Sequence, residues 1–124
     1  MLYICYPKCT TCQKGKKWLD DHKIDIEVRD IKQNNPSYEE LKSWHEKSEM
    51  PLKSFFNTSG IIYKSLNLKD KLSEMSEEEQ LRLLATDGML VKRPLIISGD
   101  KIYVGFKERQ WISLLPVKVE KRGR

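Results

Sequence analysis

A chain of 124 residues with 39% hydrophobic content fits one domain with its own core, since domains most often run to about 100–150 residues. A net charge of +5 and 33% charged residues describe a heavily charged surface that suits acidic partners without naming one. No apolar run approaches the roughly 20 residues of a membrane span, and the first residues lack the basic start of a signal peptide, so a cytoplasmic protein with no membrane partner is expected.

Leu2-Tyr3-Ile4-Cys5 reads as a buried strand, followed by Pro7 and then Cys9-Thr10-Thr11-Cys12. Thr11 to His22 reads as a helix, with Cys12, Gly15 and Leu19 at helical spacing and Trp18 beside them. Ile24 to Arg29 alternates apolar and charged residues, the pattern of a half-buried strand. Asn34-Asn35-Pro36 breaks the chain, and Ser37 to Lys47 reads as a helix opened by a capping box of Ser37 and Glu40. Short helices are expected over Leu52–Phe56 and Ile62–Leu66, with a turn at Thr58-Ser59-Gly60 between them. A second capping box, Ser76 and Glu79, opens a helix that turns Leu81, Leu84 and Ala85 inward and closes at Asp87-Gly88. Leu95-Ile96-Ile97, the turn Ser98-Gly99-Asp100 and Lys101 to Val104 form a hairpin. Lys107 to Leu115 fits a last helix with Trp111, Leu114 and Leu115 inward, stopped by Pro116.

The element order is β-α-β, then helices, then hairpin and helix. It predicts an α/β, thioredoxin-like fold: a mixed sheet flanked by helices, in one domain over residues 1–118 with a helical insertion at about 36–90. Residues 119–124 form a basic tail, expected to be flexible.

Cys9 and Cys12 carry the chemistry. Residues i and i+3 share a helix face, so both sulfurs lie within one turn, close enough to bridge. A thiol at a helix N-terminus feels the positive end of the backbone dipole, which favours thiolate. Cys9, at the exposed first turn beside Lys8, is therefore the expected attacking thiolate, and Cys12, one turn deeper, the resolving thiol. Zinc is the competing reading, but it takes about four ligands, usually as two close pairs. There is no second CxxC, and His22 and His45 stand far apart in the chain, so no metal site is expected. Cys5 reads as a buried core thiol. Arg93-Pro94, ahead of the third strand, is a second candidate constellation; a proline there removes a donor from the sheet.

With Cys9-Thr10-Thr11-Cys12 near the start, Lys92-Arg93-Pro94-Leu95-Ile96 late, and Val104-Gly105-Phe106 in the hairpin, the chain resembles the arsenate-reductase-related family, including its Spx and MgsR branch. Phe55 to Gly60 and Ala85 to Leu90 look like its glutaredoxin-like members in particular. The resemblance implies that Cys9 is the catalytic cysteine and that Pro94 is a cis-proline facing it, with Arg93 alongside. Lys8, Thr10, Thr11 and Pro94 then become candidates for a substrate- or anion-binding surface. It implies no bound cofactor, with glutathione or a thioredoxin/glutaredoxin system as reductant.

Three functions follow from the resemblance. The first is a thiol–disulfide oxidoreductase with Cys9, Cys12 and Arg93 as its catalytic set, acting on a disulfide substrate or a redox protein. The second is a redox-sensing regulator whose partner is the RNA polymerase α subunit, without direct nucleic-acid binding. The third is an arsenate reductase. Arsenate reductases of this kind surround the anion with three arginines. Arg93 matches one, Asn57 stands nearest a second, and Arg109 is a weak substitute for the third.

Overall fold

A computed structural model describes residues 1–115 of the chain. The expected domain end near residue 118 and the basic tail lie outside the described residues. Strands β1 (Leu2–Cys5), β2 (Glu27–Asp30), β3 (Leu95–Ser98) and β4 (Lys101–Val104) form one sheet in the order β2-β1-β3-β4. β1 and β2 are parallel, joined through α1 (Thr10–Asp21); β3 runs antiparallel to both β1 and β4. This mixed sheet flanked by helices is the thioredoxin-like architecture expected from the element order.

Successive strand residues point to opposite faces, and here the two faces build two cores. Ile4, Leu95 and Val104 face a core shared with α2 (Tyr38–Ser48) and the helices between β2 and β3. Tyr3, Cys5, Ile96 and Tyr103 face the opposite core with Cys12 and Leu19 of α1 and Trp111 of α6 (Glu108–Trp111). The rings of Tyr3, Trp18 and Phe106 all meet Trp111 edge-on, with centroids at 6.2, 5.6 and 4.7 Å.

Between α2 and β3 the chain forms a 3-10 turn over Leu52–Phe55, then α3 (Ile61–Ser65), α4 (Leu68–Lys71) and α5 (Glu77–Leu84). Ser37 and Ser76 cap α2 and α5, each in a reciprocal capping box with the glutamate three residues on. α4 and the 3-10 turn after it (Leu72–Glu74) were not expected from the sequence. Leu68 and Leu72, four residues apart, are buried in the larger core; packing, rather than a cap or a long periodic run, makes this helix. The start and end of the region are tied together: Asn57 N–H donates to the Leu90 carbonyl at 2.8 Å, and Lys92 N–H to the Phe55 carbonyl at 2.8 Å.

Two expectations need correction. The second strand was expected over Ile24–Arg29 with its apolar residues inward. It instead occupies Glu27–Asp30; Ile24 and Ile26, just ahead of it, pack against the α1-side core as expected, but Val28 is 49% exposed. β2 is an edge strand, and its position answers to Arg29, whose guanidinium grips Glu40 of α2 through both nitrogens, Nη1–Oε2 at 2.7 Å and Nη2–Oε1 at 2.8 Å. The last helix is shorter than expected. α6 ends at Trp111 and passes into a 3-10 turn over Ile112–Leu114; Trp111 is fully buried, while Leu114 and Leu115 are half-buried.

Candidate active site

β1 delivers the chain to Tyr6, where a turn closes with Cys9 N–H on the Tyr6 carbonyl at 2.9 Å. The Gln13 side-chain amide donates back to the Pro7 carbonyl at 2.9 Å and holds this loop against α1. Cys9 is the N-cap residue of α1, with extended backbone at φ −84° and ψ 123°, and no acidic residue stands in the first turn. The backbone N–H groups there have no carboxylate to serve, and they lie open to a negative charge on the Cys9 sulfur.

The two motif thiols differ in environment. Cys9 is half-buried; partial burial raises its pKa, but the N–H of Cys12, the Cys12 thiol, the N–H of Thr11 and the charge of Arg93 together bring it below that of an ordinary thiol. Cys12 is 2% exposed. Its pKa is pushed well up, first by the hydrogen bond it shares with the Cys5 thiol and then by burial, although the Tyr6 N–H donates to its sulfur at 3.3 Å. The Tyr3 hydroxyl donates to the Cys12 carbonyl at 2.7 Å and locks this turn of the helix onto the sheet. Burial and the neighbouring cysteines keep the Tyr3 phenol protonated as that donor. All three cysteines are free thiols.

Cys9 opens onto a cleft of about 690 Å³. α1 supplies Thr11 to one wall. Asn57, Ile61, Ile62 and Met89, from the region between β2 and β3, form the second. Lys92 and Arg93 ahead of β3, with Gly105, Phe106 and Lys107 after β4, form the third. Among the described residues lining it are three cations and no carboxylate. Among the described residues, Arg93 makes only long contacts with protein, Nη1 to the Met89 and Val91 carbonyls at 3.3 and 3.4 Å, and its buried Nε has no hydrogen-bond partner. Its guanidinium lies over the Tyr6 ring at 5.6 Å. Much of its donor capacity is thus free to meet an anion. Gly105 closes the third wall at φ +80°, a left-handed conformation that favours glycine, and its N–H donates to the Pro94 carbonyl at 2.8 Å.

Cys9, Thr11 and Arg93 therefore meet in one cleft, with Cys12 buried beneath. The Arg93–Pro94 peptide is cis, and Pro94 is buried where β3 begins. Lys8 and Thr10 are exposed and do not line the cleft; the cation that acts on Cys9 is Arg93. Arg109 is exposed on α6 and also lies outside the lining, so Arg93 is the cleft's arginine among the described residues. Lys92, Lys107, Met89 and Phe106 line the cleft but were not named as site residues from the sequence, although Lys92 and Phe106 stand in the motifs that carry the family resemblance and Lys107 adjoins Phe106. Cys5 is buried as expected, and it packs with Cys12 in the same core and lines the same small cavity. No group of His, Cys, Asp and Glu able to hold a metal ion occurs among the described residues, and no helix there is long and apolar enough to cross a membrane.

Comparison with known proteins agrees with this fold. The model of the ArsC family matches residues 4–114. The uncharacterised protein YusI of Bacillus subtilis (strain 168) is 57% identical, covering 90% of this chain and 94% of its own length. The regulatory protein MgsR of the same strain is 30% identical, covering 92% of this chain and 89% of its own. Among solved structures, a protein related to the ArsC family from Bacteroides fragilis superposes with a TM-score of 0.89 at 52% identity, covering 91% of this chain and 95% of its own. Further matches carry the names global transcriptional regulator Spx, from Enterococcus faecalis at 30% identity, and possible arsenate reductase, from Streptococcus mutans UA159 at 47%. The chain belongs to the ArsC family.

Proposed function

We propose that this protein is a thiol–disulfide oxidoreductase in which Cys9 attacks a disulfide and Cys12 resolves the product. The observation that carries this reading is the separation of the two thiols: one lowered in pKa and open to the cleft, the other raised and buried one turn behind it. The nucleophile in exchange is the thiolate. Cys9 thiolate attacks one sulfur of the substrate disulfide and expels the other as a thiolate. Cys12 then passes its proton to that expelled thiolate and attacks Cys9 Sγ, releasing the second substrate thiolate and leaving a Cys9–Cys12 disulfide. Arg93, with Lys92 and Lys107 in the same cleft, stabilises the departing negative charge and favours substrates that carry carboxylates. Glutathione or a thioredoxin/glutaredoxin system returns the pair to dithiol. The test is turnover of a glutathionylated peptide. Cys9→Ser is expected to abolish it, and equal rates for the two proteins overturn the reading.

The 30% identity to regulatory protein MgsR across 92% of the chain favours a second reading, a redox-switched regulator that binds the RNA polymerase α subunit. The same thiol chemistry serves both a catalyst and a sensor. Capture of the α subunit by oxidised but not reduced protein supports the regulator; no capture in either state removes it. Arsenate reduction has less support, because a tetrahedral oxyanion is best held by several bidentate guanidinium groups and the described cleft residues include Arg93 alone.

A further inference from the structure

We propose that Cys5 is a third redox-active thiol, which draws Cys12 into a buried Cys5–Cys12 disulfide and sets Cys9 free again. The inference rests on the exchange chemistry proposed above and extends it by one step.

The period of the strand makes the juxtaposition. Tyr3 and Cys5 point to the α1 face of the sheet, where Cys12 is buried in the first turn of the helix. Cys5 and Cys12 line a second cavity of about 240 Å³, together with Lys16 and Val28. Cys9 does not line that cavity, and neither Cys5 nor Cys12 lines the large cleft. Cys12 thus stands between two thiols: it shares the small cavity and the core with Cys5, and lies one turn of α1 beyond Cys9. In the reduced chain the Cys12 thiol favours a Cys5 thiolate against burial; once Cys12 is held in a disulfide it has no proton to donate, and the Lys16 ammonium is the group that still favours it, against burial and the Asp30 carboxylate.

The step balances as an exchange. Starting from the Cys9–Cys12 disulfide left by the substrate, Cys5 loses its proton to solvent and attacks Cys12 Sγ. The Cys5–Cys12 bond forms, the Cys9–Cys12 bond breaks, and Cys9 leaves as a thiolate. No electrons are gained or lost overall; the two already taken by the substrate disulfide now come from Cys5 and Cys12. A leaving thiol of low pKa departs faster, which describes Cys9. The oxidised chain then keeps its nucleophile open to the cleft with its oxidation stored in the core. A second disulfide reacting at Cys9 finds no resolving thiol and stays attached.

Trypsin separates the outcomes, because cleavage after Lys8 and Lys14 puts Cys5 in one peptide (residues 1–8) and Cys9 with Cys12 in another (residues 9–14). The reduced full chain is treated with one equivalent of oxidised glutathione, quenched in acid, labelled with maleimide and mapped unreduced by mass spectrometry. The expected product is peptide 1–8 joined through Cys12 to peptide 9–14, with label on Cys9. Excess oxidised glutathione should replace that label with glutathione. Label on Cys5 beside an internally bridged 9–14 peptide overturns the relay and leaves the oxidoreductase reading standing. Absence of any disulfide among the three overturns both. In Cys9→Ser the same reagent should give no cross-link; a cross-link there means that the buried pair oxidises without Cys9, and the relay is wrong.

Discussion

At the scale of single residues, the site depends on how differently the same side chain behaves in two places. Cys9 and Cys12 are three residues apart, yet a helix start and a guanidinium lower one while a neighbouring thiol and burial raise the other. At pH 7, iodoacetamide should therefore label Cys9 faster than Cys12 by roughly tenfold or more, with a rate-against-pH midpoint below that of an ordinary thiol. Arg93→Gln should move that midpoint upward, and Lys8→Ala should move it less; an equal shift from Lys8→Ala would restore the role that the sequence suggested for that lysine. Arg29 and Glu40 form the other tuned pair. The guanidinium's hydrogen bonds hold the Glu40 carboxyl down at about 2, against the desolvation that opposes them. Folding thus lowers this pKa, so the pair's contribution is fully present above about pH 4.5 and is lost as pH falls toward 2. The pair is partly exposed, so Glu40→Gln should cost only about 1 kcal/mol at pH 7. It should also flatten the acid limb in that window, as measured by urea unfolding at several pH values.

At the scale of elements, α1 is positioned by what fits beneath it. Gly15 sits where a Cβ would meet the Tyr3 hydroxyl at 2.5 Å and the Trp111 ring at 2.9 Å. Alanine would gain about 1 kcal/mol in helix propensity, but overpacking typically costs about 1–3 kcal/mol, and the Tyr3 hydroxyl that must yield is the one gripping the Cys12 carbonyl. Gly15→Ala should lower the unfolding midpoint in urea and also slow Cys9–Cys12 disulfide formation; an unchanged or higher midpoint would contradict this packing argument. Much at this scale was legible beforehand. The boxes Ser37/Glu40 and Ser76/Glu79 are local patterns that satisfy orphan N–H groups within one turn, and both helices start where those residues stand. β2 was less legible, because its apolar alternation competes with the Arg29–Glu40 pair, a contact between residues on separate elements.

At the scale of the whole molecule, three of the chain's 23 lysines and arginines, Lys92, Arg93 and Lys107, line the cleft with Cys9 and meet no carboxylate among the described residues of that lining. Screening shortens the reach of such charges from about 10 Å at 0.1 M salt to about 3 Å at 1 M. For an anionic disulfide such as oxidised glutathione, kcat/KM should fall several-fold over that range, while a neutral disulfide should change little. Equal salt dependence for the two substrates would mean that the cleft cations do not meet the substrate.

The sequence by itself determined β1, β3 and β4, helices α1, α2 and α5, and the placement of Cys9 at a helix start with Cys12 one turn on, because each of these is set by neighbours within a few positions. Tertiary structure alone decided which cations face Cys9, that Lys8 and Arg109 do not, and that Cys5 and Cys12 share a cavity. Those outcomes depend on strand order and on which face of the sheet a residue occupies. The sheet's pairing brings residues 9, 57, 93 and 107 to one cleft, a convergence across separations that no local periodicity records.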